Sequence, residues 1–337
     1  MEIGFDCEKY IRLQKEEILN RVKRFDNRLY LEVGGKFFDD MHASRVLPGF
    51  IPNVKTKMLA EMKDMLEVIF CINARHITEK KIRGDFGITY AQDAMRLIGE
   101  LRKLGIKVSS IVITMYKQSK EVDEFIEAGR KAGEKIYTYN FIEGYPADVK
   151  TLVSDKGYGI NKYIPVTEKI VVVSGPGPCS GKMSTCLSQM YHEYRMGNKV
   201  GYAKYESFPV WNLPLSHPAN IAYEAATADL GDENAIDPYH LEAYGETAIN
   251  YNRDIEAFPV LKEIIYKITG NVIYKSPTDM GVNKIGFAIS NDEVVRKAGR
   301  DEVIRRYEKA KTMYAEGQEK LETLKRLEEL TKKVEKV

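Results

Sequence analysis

Short runs rich in β-branched and aromatic residues alternate with helix-like segments over the first two thirds of the chain. Six such runs stand at residues 28–33, 67–73, 109–115, 135–141, 169–175 and 199–205. Apolar residues recur at a period of about 3.6 over 8–24 and 90–104, and a further helix is predicted over 119–132. Strand-then-helix units repeated in this way are typical of βαβ connections. The pattern predicts an α/β fold with a mostly parallel sheet flanked by helices.

Charge and apolar content exclude several classes of protein. The chain has 51 Lys and Arg against 49 Asp and Glu, and a net charge of +2 gives no bulk field for nucleic acid. No apolar stretch reaches the ~18 residues of a membrane span, and the acidic start lacks the core of a secretory signal. Four cysteines without CxxC spacing fit a reduced compartment. We expect a cytoplasmic protein that binds a small-molecule or phosphorylated substrate, and neither nucleic acid nor a membrane.

The length of 337 residues predicts about two domains, followed here by a helical segment. We place an N-terminal α/β domain at 1–165 and a P-loop-like α/β domain with elaborated loops at 166–290. A C-terminal helical hairpin is predicted at 291–337, broken near Gly317. Its second helix carries a leucine stripe, which we interpret as an amphipathic face packed on the same chain. A coiled-coil seam that makes a homo-oligomer stays the alternative, although too few heptads support it.

The segment 169–197, KIVVVSGPGPCSGKMSTCLSQMYHEYRMG, carries the sharpest motif in the chain. An apolar strand runs into a Gly/Pro turn, then a Gly-Lys pair, then an amphipathic helix, which is the context that a P-loop requires. Glycines let backbone amides turn toward an anion, and the helix N-terminus adds partial positive charge. We therefore predict a phosphate-binding loop, with the lysine reaching the outer phosphates. The residues assigned to nucleotide binding are Gly175, Gly177, Cys179, Ser180, Gly181, Lys182, Met183, Ser184 and Thr185.

This loop departs from the standard G-x-x-x-x-G-K-[ST] motif. Neither glycine ahead of Gly181 stands at the required spacing, and two prolines in the loop lack amide hydrogens. Met183 occupies the hydroxyl position, so the predicted Mg²⁺ ligand is Ser184 or Thr185. A shift of one residue turns a helical side chain by about 100°, so the sequence leaves both hydroxyls open. A glycine-rich strand-to-helix turn with a surface lysine is the structural alternative.

Polar side chains that follow other predicted strands are expected to complete the site. The carboxyl ends of parallel strands meet at one edge of a sheet, where ligands bind. The residues predicted to act in catalysis are Lys182, His42, Asp39, Arg45, Glu206 and Arg253. The arginines suit an anion clamp, whereas the carboxylates and the histidine can act as bases or hold a metal. We expect the histidine and both arginines to share one pocket facing Lys182, with solvated surface turns as the alternative.

Long polar and aromatic strings run through most of the chain. They include GGKFFDDMHASRVLPGF (34–50), SGPGPCSGKMSTCLSQMYHE (174–193), IDPYHLEAYGETAINYNRD (236–254) and SPTDMGVN (276–283). These strings resemble the bacterial domain-of-unknown-function 1846 family. Members of that family often continue past the point where this chain ends, so the resemblance implies a further C-terminal region. Some members carry a label of ATP-dependent peptidase, but this chain has neither HExxH nor GxSxG.

The resemblance implies a family without an established activity, so the chemistry has to come from the residues. A phosphate loop beside a crevice rich in charged groups suggests phosphoryl transfer, or ATP-dependent ligation of a small molecule. The cofactors expected for such an enzyme are Mg²⁺ and ATP or GTP. Two alternatives stay open: a protein that binds a nucleotide or phosphometabolite without turnover, and an enzyme whose glycine loop holds a phosphorylated substrate.

Overall fold

The computed structural model describes residues 2–26, 28–84 and 86–337, and its centre is a six-stranded parallel sheet. The strands are β1 (Arg28–Val33), β2 (Leu66–Asn73), β3 (Lys107–Tyr116), β4 (Ile136–Asn140), β5 (Ile170–Ser174) and β6 (Val200–Tyr205). Their order across the sheet is β4-β3-β2-β5-β1-β6. A separate antiparallel pair is formed by β7 (Asn234–Ile236) and β8 (Ile249–Tyr251). The six predicted strands and the α/β class are confirmed, with strand ends shifted by at most two residues.

Helices cover both faces of the sheet. They are α1 (Cys7–Val22), α2 (Met41–Val46), α3 (Val54–Ala60), α4 (Ala74–Thr78), α5 (Tyr90–Lys103), α6 (Lys120–Lys131), α7 (Val149–Leu152), α8 (Lys182–Arg195), α9 (Pro218–Ala226), α10 (Pro238–Tyr244), α11 (Asn252–Thr269), α12 (Pro277–Met280), α13 (Asp292–Ala315) and α14 (Leu321–Val334). One core includes α1, α5 and α13, and the other includes α8 and α11. No helix in the described part of the chain is both long and apolar enough to cross a membrane.

Local signals set several helix ends as the sequence predicts. The Thr89 side chain caps α5 in a reciprocal capping box with Gln92. Gly105 and Gly133 follow α5 and α6 with φ of +75° and +83°, in the left-handed region that ends a helix readily only with glycine. These ends fix the length of each crossover, and they place the start of α5 at the carboxyl edge of the sheet.

Strands from both sides of residue 165 belong to the same sheet. β5 pairs with β2 on one side and with β1 on the other. The segments 1–165 and 166–290 therefore share one sheet rather than each building its own. The predicted helical hairpin consists of α13 and α14, with Gly317 in the left-handed region between them. The leucine stripe of α14 packs into the core of the same chain through Leu327 and Leu330.

The connections of the sheet change direction at β5. After β5 the chain crosses to β6 through α8 on one face, whereas after β2 it crosses to β3 through α5 on the other face. Right-handed crossovers that run in opposite directions place their helices on opposite faces. They leave a crevice at the carboxyl ends of the strands, which is where open α/β sheets bind ligands. The loop that follows β5 lies at this crevice.

Candidate functional site

The loop between β5 and α8 is irregular and ends at an uncapped helix N-terminus. Gly181 stands at the N-cap with φ of +80°, and Cys179 has φ of +57°. The left-handed conformation disfavours a non-glycine residue by about 1–2 kcal/mol, so the Cys179 backbone is strained. α8 begins at Lys182 without a capping side chain. Its first turn therefore presents unpaired amides together with the partial positive charge of the helix.

Side chains from the ends of β2 and β3 hold the path of this loop. The Asn73 amide donates to the Cys179 carbonyl oxygen at 3.0 Å, and the Thr114 hydroxyl donates to the Ser180 carbonyl oxygen at 2.8 Å. Arg83 donates to the Pro176 carbonyl oxygen at 2.6 Å. These three bonds use carbonyl oxygens of the loop and leave its amides out of the anchoring.

A run of backbone amides in the loop has no hydrogen-bond acceptor in the described part of the chain. These amides belong to Gly177, Cys179, Ser180, Gly181, Lys182, Met183 and Ser184. Only Pro178 interrupts the run, because proline has no amide hydrogen. Successive free amides at the start of a helix form the kind of concavity that binds phosphate or another oxyanion.

Lys182 lies between two cavities at the carboxyl edge of the sheet. Its Nζ donates to the Gly177 carbonyl oxygen at 3.3 Å across the loop. One cavity of 340 Å³ has an aromatic wall, and one of 590 Å³ has a charged wall; we call them the aromatic cavity and the charged cavity. The residues that line both are Glu32, Cys179, Lys182 and Met183. A group held by Lys182 is therefore accessible from either side.

The aromatic cavity can hold a flat, apolar ring beside the loop. Phe141 and Tyr145 on its wall are more than one-third exposed, and Met115 lies with them. Large apolar side chains left open at a cavity offer a stacking surface for an aromatic or heterocyclic ligand. Ser184 lines the same cavity close to Lys182 in sequence.

The charged cavity has an excess of basic side chains around fixed carboxylates. Arg83 and Arg96 both bind the buried Asp93, at 2.5 Å and 2.7 Å. Guanidinium groups at a cavity wall suit carboxylate or phosphate oxygens. Arg253 also lines this cavity; its Nη2 donates to Asp232 at 2.8 Å, and its Nε lies 2.6 Å from the same carboxylate.

A buried ionic network forms the floor of the charged cavity. The Lys204 Nζ donates to Asp254 at 2.6 Å, lies 3.2 Å from Glu206 and contacts the Tyr251 hydroxyl. The Tyr251 hydroxyl in turn donates to Glu206 at 3.1 Å. Burial alone would lower the pKa of Lys204, but the carboxylates of Asp254 and Glu206 raise that pKa well above its usual value. Lys204 is therefore a permanent cation that fixes both carboxylates.

Glu32 is a buried carboxylate at the centre of the site that the sequence analysis missed. It lies in β1 beside β5, in register with Lys204 of β6, and accepts a 2.7 Å hydrogen bond from the Tyr202 hydroxyl. Burial raises the pKa of Glu32, and the nearby ammonium groups of Lys204 and Lys182 partly offset that rise. The signal in the sequence is one acidic residue inside the otherwise apolar end of a strand.

The loop residues of the prediction do not all face the cavities. Every one of them except Thr185 lines at least one cavity. Thr185 is fully buried, and its hydroxyl donates to the Gly181 carbonyl oxygen at 2.9 Å and accepts from the Cys71 thiol. Of the two hydroxyls left open by the sequence, Ser184 is the one that lines a cavity.

The structure brings Glu206 and Arg253 to the charged cavity with Lys182, but it takes the other predicted catalytic residues elsewhere. His42 and Arg45 bind Glu302 of α13 at 3.4 Å and 2.8 Å. Neither they nor Asp39 lines the charged or the aromatic cavity. This corrects the expectation of one shared pocket, and the reason is that α2 starts at its Asp40 cap and carries both side chains toward α13.

The donor set suits a magnesium ion that arrives with a phosphate ligand. In the residues that the structure describes, no three His, Cys, Asp or Glu side chains cluster as metal ligands. Glu32 and Ser184 both line the aromatic cavity with Lys182. Mg²⁺ usually keeps several waters and takes one or two protein oxygens together with substrate phosphates. The residues therefore fit Mg²⁺ only as part of a phosphate complex.

One family model and several bacterial proteins are similar to this chain over almost its entire length. The family model described as "Domain of unknown function DUF1846, N-terminal" matches residues 3–335. The UPF0371 protein of Fusobacterium nucleatum is 58% identical over 329 residues, which cover 97% of this chain and 65% of that protein. The UPF0371 proteins of Clostridium tetani and Clostridioides difficile are each 56% identical, with 97% and 94% of this chain and 65% and 64% of theirs covered. This chain thus spans just under two thirds of the length of these relatives.

Proposed function

This chain belongs to the DUF1846 family, and we propose that it is a nucleotide-dependent enzyme that transfers a phosphoryl group to a small molecule. Ligation of a small molecule through an acyl-phosphate is the same proposal with a carboxylate as acceptor. One observation carries it: Lys182 and the free amides of its loop lie between two cavities of different chemistry. An enzyme that transfers a phosphoryl group from a nucleotide to a second substrate needs one cavity for each of the two.

The nucleotide is assigned to the aromatic cavity. Its base would stack on the wall that includes Phe141 and Tyr145, and its phosphates would accept hydrogen bonds from the loop amides. Lys182 would neutralise charge on the terminal phosphoryl group, where its Nζ now donates to a loop carbonyl. Glu32 and Ser184 would hold Mg²⁺ against the phosphate oxygens, and that ion would supply further neutralisation of charge.

The acceptor is assigned to the charged cavity. The guanidinium groups of Arg83 and Arg96 line this cavity and suit an acceptor that carries an anionic group. Glu206 lines this cavity and is held by Lys204 and Tyr251, so it can take the proton of an acceptor hydroxyl. The new oxygen–phosphorus bond then forms as the bond to the nucleoside diphosphate breaks. Phosphoryl transfer depends mainly on such positioning and charge neutralisation.

The separation of the two cavities favours an enzyme over a protein that only binds one ligand. A binding protein needs one cavity, whereas here four residues are shared by two cavities with different walls. An enzyme whose loop holds a phosphorylated substrate instead of a nucleotide would use the same amides. The nucleotide-dependent enzyme and the enzyme with a phosphorylated substrate differ in the ligand that fills the aromatic cavity, and binding experiments can identify that ligand.

The test is calorimetric titration of a non-hydrolysable ATP analogue with Mg²⁺. Lys182→Met should weaken its binding about tenfold or more, since a charge-assisted hydrogen bond is removed. Lys162→Met is the matched control, because Lys162 is exposed and lines neither cavity. Equal binding by both variants would contradict the nucleotide assignment. Binding of sugar phosphates but not of the analogue, lost with Lys182, would assign the loop to a phosphorylated substrate.

A further inference from the structure

A single buried carboxylate, that of Glu302 on α13, is surrounded by three arginines. Arg45 of α2 donates to it at 2.8 Å. Arg305 donates through two nitrogens at 2.7 Å and 2.9 Å, and Arg306 donates at 2.8 Å. All three guanidinium groups therefore converge on one carboxylate, at the contact between α2 and α13.

This cluster has more positive charge than its own carboxylate can neutralise. In the described residues, Glu302 is the only carboxylate paired with these arginines. Burial lowers the pKa of His42, which also faces Glu302, so the imidazole is neutral near pH 7 and adds no charge. Burial lowers the pKa of Arg306, Glu302 opposes that change, and the charges of Arg305 and Arg45 lower it further. The surplus is two positive charges on a partly open surface.

Several donors of the three arginines are still available. Each binds Glu302 through Nε, and Arg305 also through one terminal nitrogen. The remaining terminal nitrogens have no carboxylate or carbonyl acceptor within the described residues, apart from the Arg306 nitrogen that approaches His42. The side chains of Arg45, Arg305 and Arg306 are 36%, 44% and 24% exposed, so these donors reach solvent.

We propose that Arg45, Arg305 and Arg306 form a second anion site, which binds the phosphate group of a phosphorylated small molecule. A phosphate monoester carries a charge of about −1.5 to −2 at pH 7, which matches the surplus of the cluster. Planar guanidinium groups bind phosphate oxygens in pairs, and Glu302 holds the three planes in place before the ligand arrives. Structural pairing of one buried carboxylate needs one arginine, whereas the second and third repel the first.

The site is separate from the nucleotide loop. None of the three arginines lines the charged or the aromatic cavity. The ring of Phe208 lies 5.2 Å from His42 and stacks on Tyr223, which lines the charged cavity. The inference therefore stands whether or not the loop binds a nucleotide. Each site can be removed separately by its own variant.

The test measures the unfolding temperature with inorganic phosphate or glycerol 3-phosphate against chloride at equal ionic strength. Phosphate should still stabilise the Lys182→Met variant, because the arginine site does not use Lys182. The arginine variants are therefore compared in the Lys182→Met background, where the loop has lost its lysine. Arg305→Ala should weaken phosphate binding about tenfold, since it removes one charge-assisted donor and leaves Glu302 two arginines. Arg296→Ala is the matched control on α13, because Asp292, near the start of that helix, is the one carboxylate that Arg296 pairs with among the described residues.

Three results would overturn the proposal: equal stabilisation by chloride, equal phosphate affinity in the two arginine variants, or loss of all phosphate binding in Lys182→Met. Tighter binding of glycerol 3-phosphate than of a phosphoserine peptide supports a small-molecule ligand, and the reverse order rejects it. Circular dichroism of Arg305→Ala identifies any loss of folding. If that variant unfolds, Arg45→Lys keeps the charge but loses the paired geometry, and it should then show the weakened binding.

Discussion

The Thr114 hydroxyl donates a 2.8 Å hydrogen bond to the Ser180 carbonyl oxygen, and it thereby ties the end of β3 to the loop between β5 and α8, two strands away. The next residue, Gly181, passes so close to Thr114 that a β-carbon there would lie 2.7 Å from its side chain. The loop that precedes α8 is thus shaped by a strand that does not adjoin its own. The first two predictions test this contact.

Thr114→Val should reduce the free energy of unfolding by about 1 kcal/mol, because valine keeps the shape of threonine and loses one buried hydrogen bond. Binding of the ATP analogue should weaken as well, since the loop loses an anchor. Urea denaturation and calorimetry measure the two effects. Thr331→Val removes a hydroxyl that donates to the Leu327 carbonyl oxygen within α14, and it should leave nucleotide binding unchanged. If Thr114→Val binds the ATP analogue as tightly as the wild-type protein, the hydrogen bond from Thr114 is dispensable for the loop.

Gly181→Ala should destabilise the protein by more than about 2 kcal/mol. The added methyl group meets the Thr114 side chain at 2.7 Å, in addition to the strain of alanine at φ of +80°. Gly197→Ala isolates the second effect, because Gly197 has φ of +84° and no atom of the described residues lies within 4 Å of its β-carbon position. That control should lose only about 1 kcal/mol in urea denaturation. Equal losses in the two variants would refute the close approach.

Cys179 should be the cysteine that alkylating reagents modify first. It is exposed in the loop and lines both cavities, whereas Cys7, Cys71 and Cys186 are buried. A bound nucleotide should slow the modification, because its phosphates would occupy the amides on either side of Cys179. Mass spectrometry of iodoacetamide-treated protein, with and without the ATP analogue and Mg²⁺, measures both rates. Faster labelling of Cys7, or no protection, would count against a ligand at the loop.

Stability should fall with acid through Glu302. Burial alone would raise the pKa of this carboxyl, but hydrogen bonds from Arg305, His42 and Arg45 hold it well below the usual 4.5. The unfolded chain therefore takes up the proton first as pH falls below about 4.5, so the contribution of Glu302 is full above that value and declines below it. Glu302→Gln should be about 3 kcal/mol less stable near pH 7, with a smaller difference near pH 3. Urea denaturation of both proteins at both pH values measures these differences in the free energy of unfolding. The same difference at pH 7 and pH 3 would refute the link between stability and the protonation of Glu302.

Lys204→Met should destabilise the protein by about 3–5 kcal/mol, because it leaves the carboxylates of Asp254 and Glu206 without their buried cation. Adding Asp254→Asn should restore part of the loss, since one of the unpaired charges is then removed. A double-mutant cycle in urea measures the coupling. If the two losses simply add, the ion pair across β6 and α11 contributes nothing of its own.

Much of the fold was predictable because it depends on neighbours close in sequence. The six strands follow from local runs of β-branched and aromatic residues, and the ends of α5 and α6 follow from Thr89, Gly105 and Gly133. The position of the loop at Lys182 was equally local, since an apolar strand, glycines and a lysine stand in one segment. These features need no information from distant parts of the chain.

The site needed the tertiary structure wherever strand order or helix direction matters. In the sequence Glu32 is one acidic residue in a predicted strand. Its place beside Lys204 depends on the position of β1 between β5 and β6. Which of the two hydroxyls predicted as Mg²⁺ ligands lines a cavity depends on the side of α8 that faces the sheet. Thr185 lies on that side against Cys71, and Ser184 lines the aromatic cavity.

The sequence by itself determined the strands, the helix ends and the position of the glycine-rich loop before Lys182, because dihedral preferences and hydrophobic period are set within a few residues. Only the tertiary structure decided that His42 and Arg45 join Glu302, about 260 residues away, and not Lys182. The same is true of the two cavities that meet at Lys182. Contacts of this range depend on the order of strands in the sheet and on which face each crossover covers. No single segment encodes either, because both result from burying all the apolar faces of the chain together.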